Sequence, residues 1–271
     1  MAKFGFHRTP PLIVFLTDFG ARDSYVGTMK GVVYSICEDA RIVDLTHGIA
    51  PQDVTGAAFT LNTSYAFFPP GSIFVCVVDP GVGGKRDIVC MKADARIFLA
   101  PDNGLLSLLR DGGKVDAVRT LKNKELWLKE ISSTFHGRDI FAPVAAHLAA
   151  GVDIEEVGPE KARIRGLELS KPVRTTGGAL KGKVIYVDQF GNMITNIGAS
   201  TLQTILKGAL EDIAISVGER TINGIVHSYS EAEEGELLAL VGSSGFLEIA
   251  ANKGSARDML GCERGCEVTL R

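Results

Sequence analysis

Two polar turns hold side chains suited to moving protons and charge. Asp79 and Arg86 bracket the run Asp79-Pro80-Gly81-Val82-Gly83-Gly84-Lys85-Arg86, and His136 sits in Ser132-Ser133-Thr134-Phe135-His136-Gly137-Arg138-Asp139. A carboxylate can take a proton, a guanidinium can hold developing negative charge, and an imidazole titrates near neutrality. Such a set could activate water or a similar weak nucleophile. An Asp–Arg pair at a strand end is equally the pattern of a structural ion pair, so these residues alone leave both readings open. The Gly-x-Gly-Gly turn lacks the G-x-G-x-x-G spacing and the Lys-Ser/Thr of a P-loop, which makes a phosphate site a weak reading.

His136 is preferred among the histidines because it lies in a polar turn. His147 falls within an Ala/Leu helical pattern, His47 follows a strand and is undecided, and His7 and His227 belong to no motif. Without an HxH or HExxH spacing no zinc centre is expected, and without a G-x-S-x-G elbow a Ser–His–Asp hydrolase has no support.

Other polar turns follow the same logic. Leu12–Leu16 runs into Thr17-Asp18-Phe19-Gly20-Ala21-Arg22-Asp23. Asp18, at the strand end, is placed to accept two hydroxyls, as ribose-binding acids do, whereas Asp23 could equally cap the following helix. Pro101-Asp102-Asn103-Gly104 could be a plain turn. Further on, Asp188-Gln189-Phe190-Gly191-Asn192-Met193-Ile194-Thr195-Asn196 sets amides beside an aromatic ring. That pairing can read an adenine edge, or it can be a bulge or hairpin turn. Val241-Gly242-Ser243-Ser244-Gly245-Phe246-Leu247-Glu248 is a similar turn whose backbone N–H groups could accept an anion.

These turns need a scaffold that places strand ends together. Leu12–Leu16, Ile42–Leu45, Ile73–Val78, Ile88–Met91 and Arg96–Leu99 read as strands. Ser24–Ile36, Asp53–Phe68 with Asp53 as N-cap, and Arg138–Ala150 read as helices, the last having to accommodate Pro143 by a kink or a later start. The alternation predicts an α/β domain with a mostly parallel central sheet. Near Lys171–Lys183 the composition shifts to Lys, Pro, Thr and Gly, which reads as a linker. Beyond it, short runs at Val184–Val187, Ile213–Val217, Thr221–Val226, Leu237–Val241, Phe246–Ile249 and Val268–Leu270, with one helix at Thr201–Leu210, predict an antiparallel β-barrel or sandwich. The expected organisation is an α/β domain over 1–172, a linker over 173–181 and a β-barrel-like domain over 182–271.

Composition sets outer bounds. The chain has 271 residues, 45% hydrophobic and 23% charged, enough apolar material for full cores. Its 29 Lys and Arg against 32 Asp and Glu leave a net charge of −3, which offers no basic field for nucleic acid. No run is long and apolar enough for a signal segment or a membrane span, so a cytoplasmic protein is expected. The five cysteines, Cys37, Cys76, Cys90, Cys262 and Cys266, are scattered without a CxxC pair and read as reduced bystanders.

The motifs carry more together than singly. The residues at 16–20 (L-T-D-F-G), 47–49 (H-G-I), 78–83 (V-D-P-G-V-G) with Arg86, 101–104 (P-D-N-G), 134–139 (T-F-H-G-R-D), 188–197 (D-Q-F-G-N-M-I-T-N-I) and 242–247 (G-S-S-G-F-L) appear in that order. This set resembles the S-adenosylmethionine hydroxide adenosyltransferase family, relatives of the S-adenosylmethionine-dependent fluorinase and chlorinase. The resemblance implies cleavage of S-adenosyl-L-methionine by water to adenosine and L-methionine, with no cofactor. It also implies a homotrimer whose sites lie between one subunit's N-terminal domain and its neighbour's C-terminal domain.

By the same resemblance Asp79, Arg86 and His136 form the catalytic set, and Asp18 holds the ribose hydroxyls. Phe190, Asn192 and Asn252 would contact adenine, Asp23 and Ser243 the methionine part, and Glu248 is counted with the substrate-binding residues. Ser244 stands where the halogenases have an Arg. The halogenase branch also has Tyr where Asp79 stands, Ser where Gly137 stands and Trp where Gln52 stands, and it carries a long insertion for which this chain has no room after Phe98. These departures point to water rather than halide. The alternatives are a halogenase and a non-catalytic sensor of adenosine or S-adenosylmethionine. Whether Asp79 or His136 takes the proton stays open.

Overall fold

A strand can be apolar at nearly every position only where both of its faces are covered. Leu-Ile-Val-Phe-Leu-Thr (β1, Leu12–Thr17) and Ile-Phe-Val-Cys-Val (β3, Ile73–Val77) are such strands, and almost every residue in them is buried. The computed structural model describes residues 11–168, 170–205 and 213–271, and the chain divides into two units, Met1–Leu167 and Glu168–Arg271.

The first unit is a six-stranded mixed sheet in the order β2-β1-β3-β5-β4-β6. Its other strands are β2 (Arg41–Thr46), β4 (Ile88–Ala93), β5 (Arg96–Pro101) and β6 (Val115–Thr120). β2, β1, β3 and β5 run parallel, while β4 pairs antiparallel with both β5 and β6. Alternate residues of the central strands serve two cores. Ile13, Phe15, Val75 and Val77 face one layer with Met29 and Val33 of α1 (Tyr25–Ile36). Val14, Leu16, Phe74 and Cys76 face the other with Ala57 and Leu61 of α2 (Val54–Ser64). The helices after β1 and β2 thus cover opposite faces, and the chain changes direction between β1 and β3. In open α/β sheets a crevice opens at that point, beyond the carboxyl ends of the strands. Asp18 follows β1 and Asp79 follows β3 there.

Local chemistry sets the helix ends. Asp53 accepts the Gly56 N–H at 3.0 Å and caps α2, as expected, and the helix passes into a short 3₁₀ turn at Tyr65–Phe67. α3 is Ser107–Gly112. The expected helix from Arg138 begins as a wide π-type turn, Gly137–Phe141, and becomes regular as α4 (Ala142–Ala149), with Pro143 in its first turn. Proline is tolerated there because the first N–H groups of a helix have no intrahelical partner.

The second unit is an all-antiparallel, nearly closed barrel-shaped sheet. Its path is β11-β10-β14-β8-β9-β13-β12, with β7 (Val173–Arg174) beside β8 (Leu180–Val187). The remaining strands are β9 (Met193–Gly198), β10 (Ala214–Val217), β11 (Arg220–Asn223), β12 (Leu237–Val241), β13 (Phe246–Ala251) and β14 (Glu267–Leu270). Leu180, Val184, Ile197, Ile215, Leu247 and Val268 are among the residues filling its core. Helix α5 is Ala199–Ile205, and the predicted continuation over 206–210 lies outside the described residues. A short α6 (Ala256–Leu260) follows β13 and was not expected from sequence. The stretch read as a linker contains β7 and the first residues of β8.

One expectation is corrected. Cys262 and Cys266 form a disulfide pair, their Cα atoms 5.9 Å apart, so only Cys37, Cys76 and Cys90 are free thiols, all buried. The two cysteines are four positions apart, in the turn that leads into β14. Among the described residues no helix is long and apolar enough to cross a membrane.

Candidate active site

A guanidinium has only donors, a carboxylate only acceptors, and a neutral imidazole one of each. Those rules fix the roles of three residues that the first unit brings into contact. Arg86 Nε reaches Asp79 Oδ1 and Oδ2 at 2.9 Å each, and Arg86 Nη2 bonds Asp79 Oδ2 as well. The same Nη2 lies 2.9 Å from His136 Nδ1. Since arginine must donate, Nδ1 supplies a lone pair and His136 is neutral here. Burial, and next the Arg86 charge, hold its pKa below the ordinary imidazole value of 6.5, against the opposite pull of Asp79, Asp139 and the Ser132 backbone. The Asp79 and Arg86 side chains are 5% and 10% exposed, so this is a withdrawn ion pair and not a rim contact.

Backbone geometry lets the two loops meet. Gly83 has φ +75°, and a Cβ there would run into the Ser133 carbonyl oxygen. Only glycine allows the Asp79–Arg86 turn to press this closely on the loop that carries His136. Gly137 is confined by side chains instead, since a Cβ would meet Met29 Sδ at 3.0 Å and ring atoms of Phe135 and Phe19 at 3.3 Å.

Asp79 and His136 line a cleft of about 380 Å³ together with Asp18 and Gln52. Asp18 Oδ2 accepts the Gln52 backbone N–H at 2.8 Å, which fixes the carboxylate. Three rings complete the wall: Tyr25 to Phe135 is 5.1 Å between centroids, Phe19 to Tyr25 5.7 Å and Phe19 to Phe135 5.9 Å. Aromatic walls exclude water and offer flat apolar surface to a ligand. Asp23 is exposed at the start of α1, where the N-cap position belongs to Ser24.

His47, undecided from sequence, supports the Asp18 turn. Its Nδ1 lies 2.8 Å from Thr17 Oγ1, its carbonyl accepts the Gly20 N–H at 2.8 Å, and its Nε2 is 3.0 Å from Asp44 Oδ1. Burial works to raise the Asp44 carboxyl, but Lys30 and His47 outweigh it and hold the pKa low.

Phe190, Asn192, Ser243, Glu248 and Asn252 belong to the second unit. The Asp188–Asn192 segment is the turn of the β8–β9 hairpin. Asp188 accepts the Phe190 and Asn192 N–H groups at 2.9 Å each and Asn192 Nδ2 at 3.0 Å, so the Asn192 amide must turn its NH₂ to the carboxylate. The Phe190 ring is 66% exposed and free to stack. Ser243 is exposed in the β12–β13 turn, and Asn252 Nδ2 donates to the Ala232 carbonyl at 2.8 Å. Glu248 is buried, and its Oε1 accepts the Tyr229 hydroxyl at 2.6 Å. Burial raises its pKa; the Tyr229 bond opposes this and the Asp188 charge adds to it.

Sequence reasoning passed over the Phe19, Tyr25 and Phe135 rings, and it marked Gln52 only as the position where the halogenases have Trp. The rings lie apart along the chain in segments where an aromatic is ordinary core material, so only the fold reveals their cluster. Among the described residues no group of three or more His, Cys, Asp or Glu side chains could hold a metal ion.

Known proteins share this architecture. Residues 13–158 match the family model described as SAM hydroxide adenosyltransferase N-terminal domain, and residues 182–269 match the corresponding C-terminal domain. A protein of Thermus thermophilus named (R)-S-adenosyl-L-methionine hydrolase is 37% identical, over 95% of this chain and 98% of its own length. An Actinoplanes protein named fluorinase is 29% identical, over 96% of this chain and 97% of its own. A crystal structure of an uncharacterized conserved protein from Thermotoga maritima matches with a TM-score of 0.89 at 38% identity, covering 95% of this chain and 99% of that one.

Proposed function

The chain belongs to the SAM hydroxide adenosyltransferase family, and from that premise we propose that it hydrolyses S-adenosyl-L-methionine to adenosine and L-methionine. The observation that carries this reading is the Asp79–Arg86–His136 contact set beside a cleft that also holds Asp18.

Water attacks C5′, the C5′–S bond breaks, and its electron pair returns to sulfur, turning a sulfonium cation into a neutral thioether. The leaving group therefore needs no proton. The demand falls on water, which must lose one. His136 Nδ1 already receives Arg86, and a neutral imidazole has no second lone pair, because its other nitrogen carries the proton. Asp79 keeps acceptor sites beyond those that Arg86 occupies, so in this reading Asp79 orients the water and takes its proton. Arg86 compensates the charge that develops on the attacking oxygen, and the neutral His136 holds Arg86 in place. A positioned base contributes roughly 10²–10⁴ in rate, and a cleft walled by aromatic rings strengthens each electrostatic contact.

Asp18 binds the ribose hydroxyls in this proposal. Phe190, Asn192 and Asn252 meet adenine, Asp23 and Ser243 meet the methionine part, and Glu248 lies with that set. They are supplied across subunits of a cytoplasmic homotrimer. The lower identity to the fluorinase and the crowding at Gly137, where the halogenases have Ser, favour water over halide.

Incubation with S-adenosyl-L-methionine, with and without chloride, tests the reading by chromatography of the nucleoside product. Adenosine and methionine without halide are expected. A halogenated nucleoside or an unchanged substrate would overturn it.

A further inference from the structure

The turn Pro101-Asp102-Asn103-Gly104 takes no part in the contact set above, but the sheet order gives it a particular place. β5 lies between β3 and β4, and it ends at Pro101 on the side where β3 ends. The loop carrying Asp79 and Arg86 leaves β3 and enters β4, so it has to cross the end of β5. A plain turn bonds mainly within itself. This one also bonds both feet of the crossing loop. Asn103 Nδ2 donates to the Val78 carbonyl at 2.8 Å, one residue before Asp79. The Asp102 N–H donates to the Asp87 carbonyl at 2.9 Å, one residue after Arg86.

Val78 is fully buried, and a buried carbonyl needs a donor. Asn103 Oδ1 accepts the Leu105 N–H at 3.2 Å, which turns the amide NH₂ toward Val78. The turn is itself anchored from outside the loop. Asp102 Oδ1 accepts the Arg165 N–H at 2.7 Å, and Lys161 Nζ lies 3.3 Å from Asp102 Oδ2 and 2.8 Å from Asp87 Oδ2. Residues 161–165 thus hold the turn, and the turn holds the loop. We propose that Asn103 is a positioning residue for the Asp79–Arg86 pair: together with the Asp102 backbone it fixes both ends of the loop, so that Arg86 stays in contact with His136. The catalytic consequence rests on the proposed hydrolysis, whereas the placement of the loop does not.

Asn103→Ser and Asn103→Asp both remove the bond to Val78 while keeping an oxygen for the Leu105 N–H. Serine is too short to reach the Val78 carbonyl, and aspartate sets an oxygen against it. Nitrogen-15 NMR of histidine-labelled protein reads the His136 Nδ1 signal, which reports the 2.9 Å contact with Arg86 whether or not the protein turns over. In both variants that signal should move from its wild-type position. The expected kcat is lower by about 10²-fold, the scale of a small misplacement at a reacting centre, with KM near wild type because Asp18 and the aromatic wall are untouched. Either variant that folds decides the matter. A wild-type His136 signal overturns the proposal whatever happens to stability, and so does a wild-type kcat. If the wild-type protein leaves S-adenosyl-L-methionine intact, the reaction is overturned and the His136 signal alone judges Asn103: displaced, it upholds the positioning role, and unmoved, it overturns it.

Discussion

Asp79 in the first unit and Glu248 in the second are carboxylates withdrawn to a similar degree, but their surroundings treat charge in opposite ways. Asp79 faces a guanidinium whose Nε and Nη2 both bond it. Glu248 faces a phenol, with the Asp188 carboxylate acting on it from nearby. An ion loses several kcal/mol of hydration on burial, and only an opposite charge with good geometry returns that amount. The first unit therefore pairs its withdrawn carboxylate with an opposite charge beside the cleft. The second holds an acid whose pKa burial and the Asp188 charge push up, against the Tyr229 bond.

The largest effect should come from removing the cation. Arg86→Met leaves Asp79 buried without its partner, and breaking a buried pair in this way costs about 3–5 kcal/mol. Turnover should fall by about 10²–10³-fold, the scale seen when one preorganised charge-stabilising donor is lost, while adenosine binding measured by calorimetry persists. His136, relieved of the Arg86 charge that helps depress it, should titrate closer to its ordinary value of 6.5. In the wild type the acid limb of kcat should lie below that value, because the neutral imidazole survives to lower pH, and in Arg86→Met it should move upward. An unshifted limb would separate His136 from the ion pair. Glu248→Gln, by contrast, should leave kcat close to wild type.

A smaller loss is expected where only the approach of the two loops is disturbed. Gly83→Ala keeps every charged group but places a Cβ against the Ser133 carbonyl at φ +75°. Strain at such a position costs about 1–3 kcal/mol. Denaturant unfolding should show that loss, and kcat should fall as Arg86 and His136 separate. An alanine variant as stable and active as wild type would mean that the loops meet for some other reason.

These residues also show what can be read from a chain and what cannot. The strand ends carrying Asp18 and Asp79 were legible because β1 and β3 are apolar runs that stop abruptly at polar turns. The turn around Asn192 was legible for the same reason, its Gly and amides interrupting a β-branched run. β6 was not, since Val-Asp-Ala-Val-Arg-Thr has the half-exposed pattern of an outer strand and little apolar content. Helix α6 is only five residues long, below the length at which periodicity is detectable. The Asp79–Arg86 pair could be suspected from its shared loop, but its contact with His136 depends on how one loop crosses another. The Tyr229 bond to Glu248 likewise joins a turn before β12 to strand β13, which only the barrel brings together.

The least disruptive change tests the second unit alone. Burial and the nearby Asp188 charge raise the Glu248 pKa in the folded state, against the opposing Tyr229 bond, while in the unfolded chain it returns to about its ordinary 4.5. Between those two values the folded protein binds the proton and the unfolded chain does not, so stability falls as pH rises through that window. Glu248→Gln cannot ionise, still offers an oxygen to the Tyr229 hydroxyl, and brings an NH₂ toward a region that Asp188 makes negative. Its melting temperature should equal that of the wild type below pH 4.5 and exceed it near neutrality, with a flatter dependence on pH between. Parallel profiles for the two proteins would show that Glu248 is held ionised after all, and the contrast with Asp79 would then lie in their partners and not in their charge.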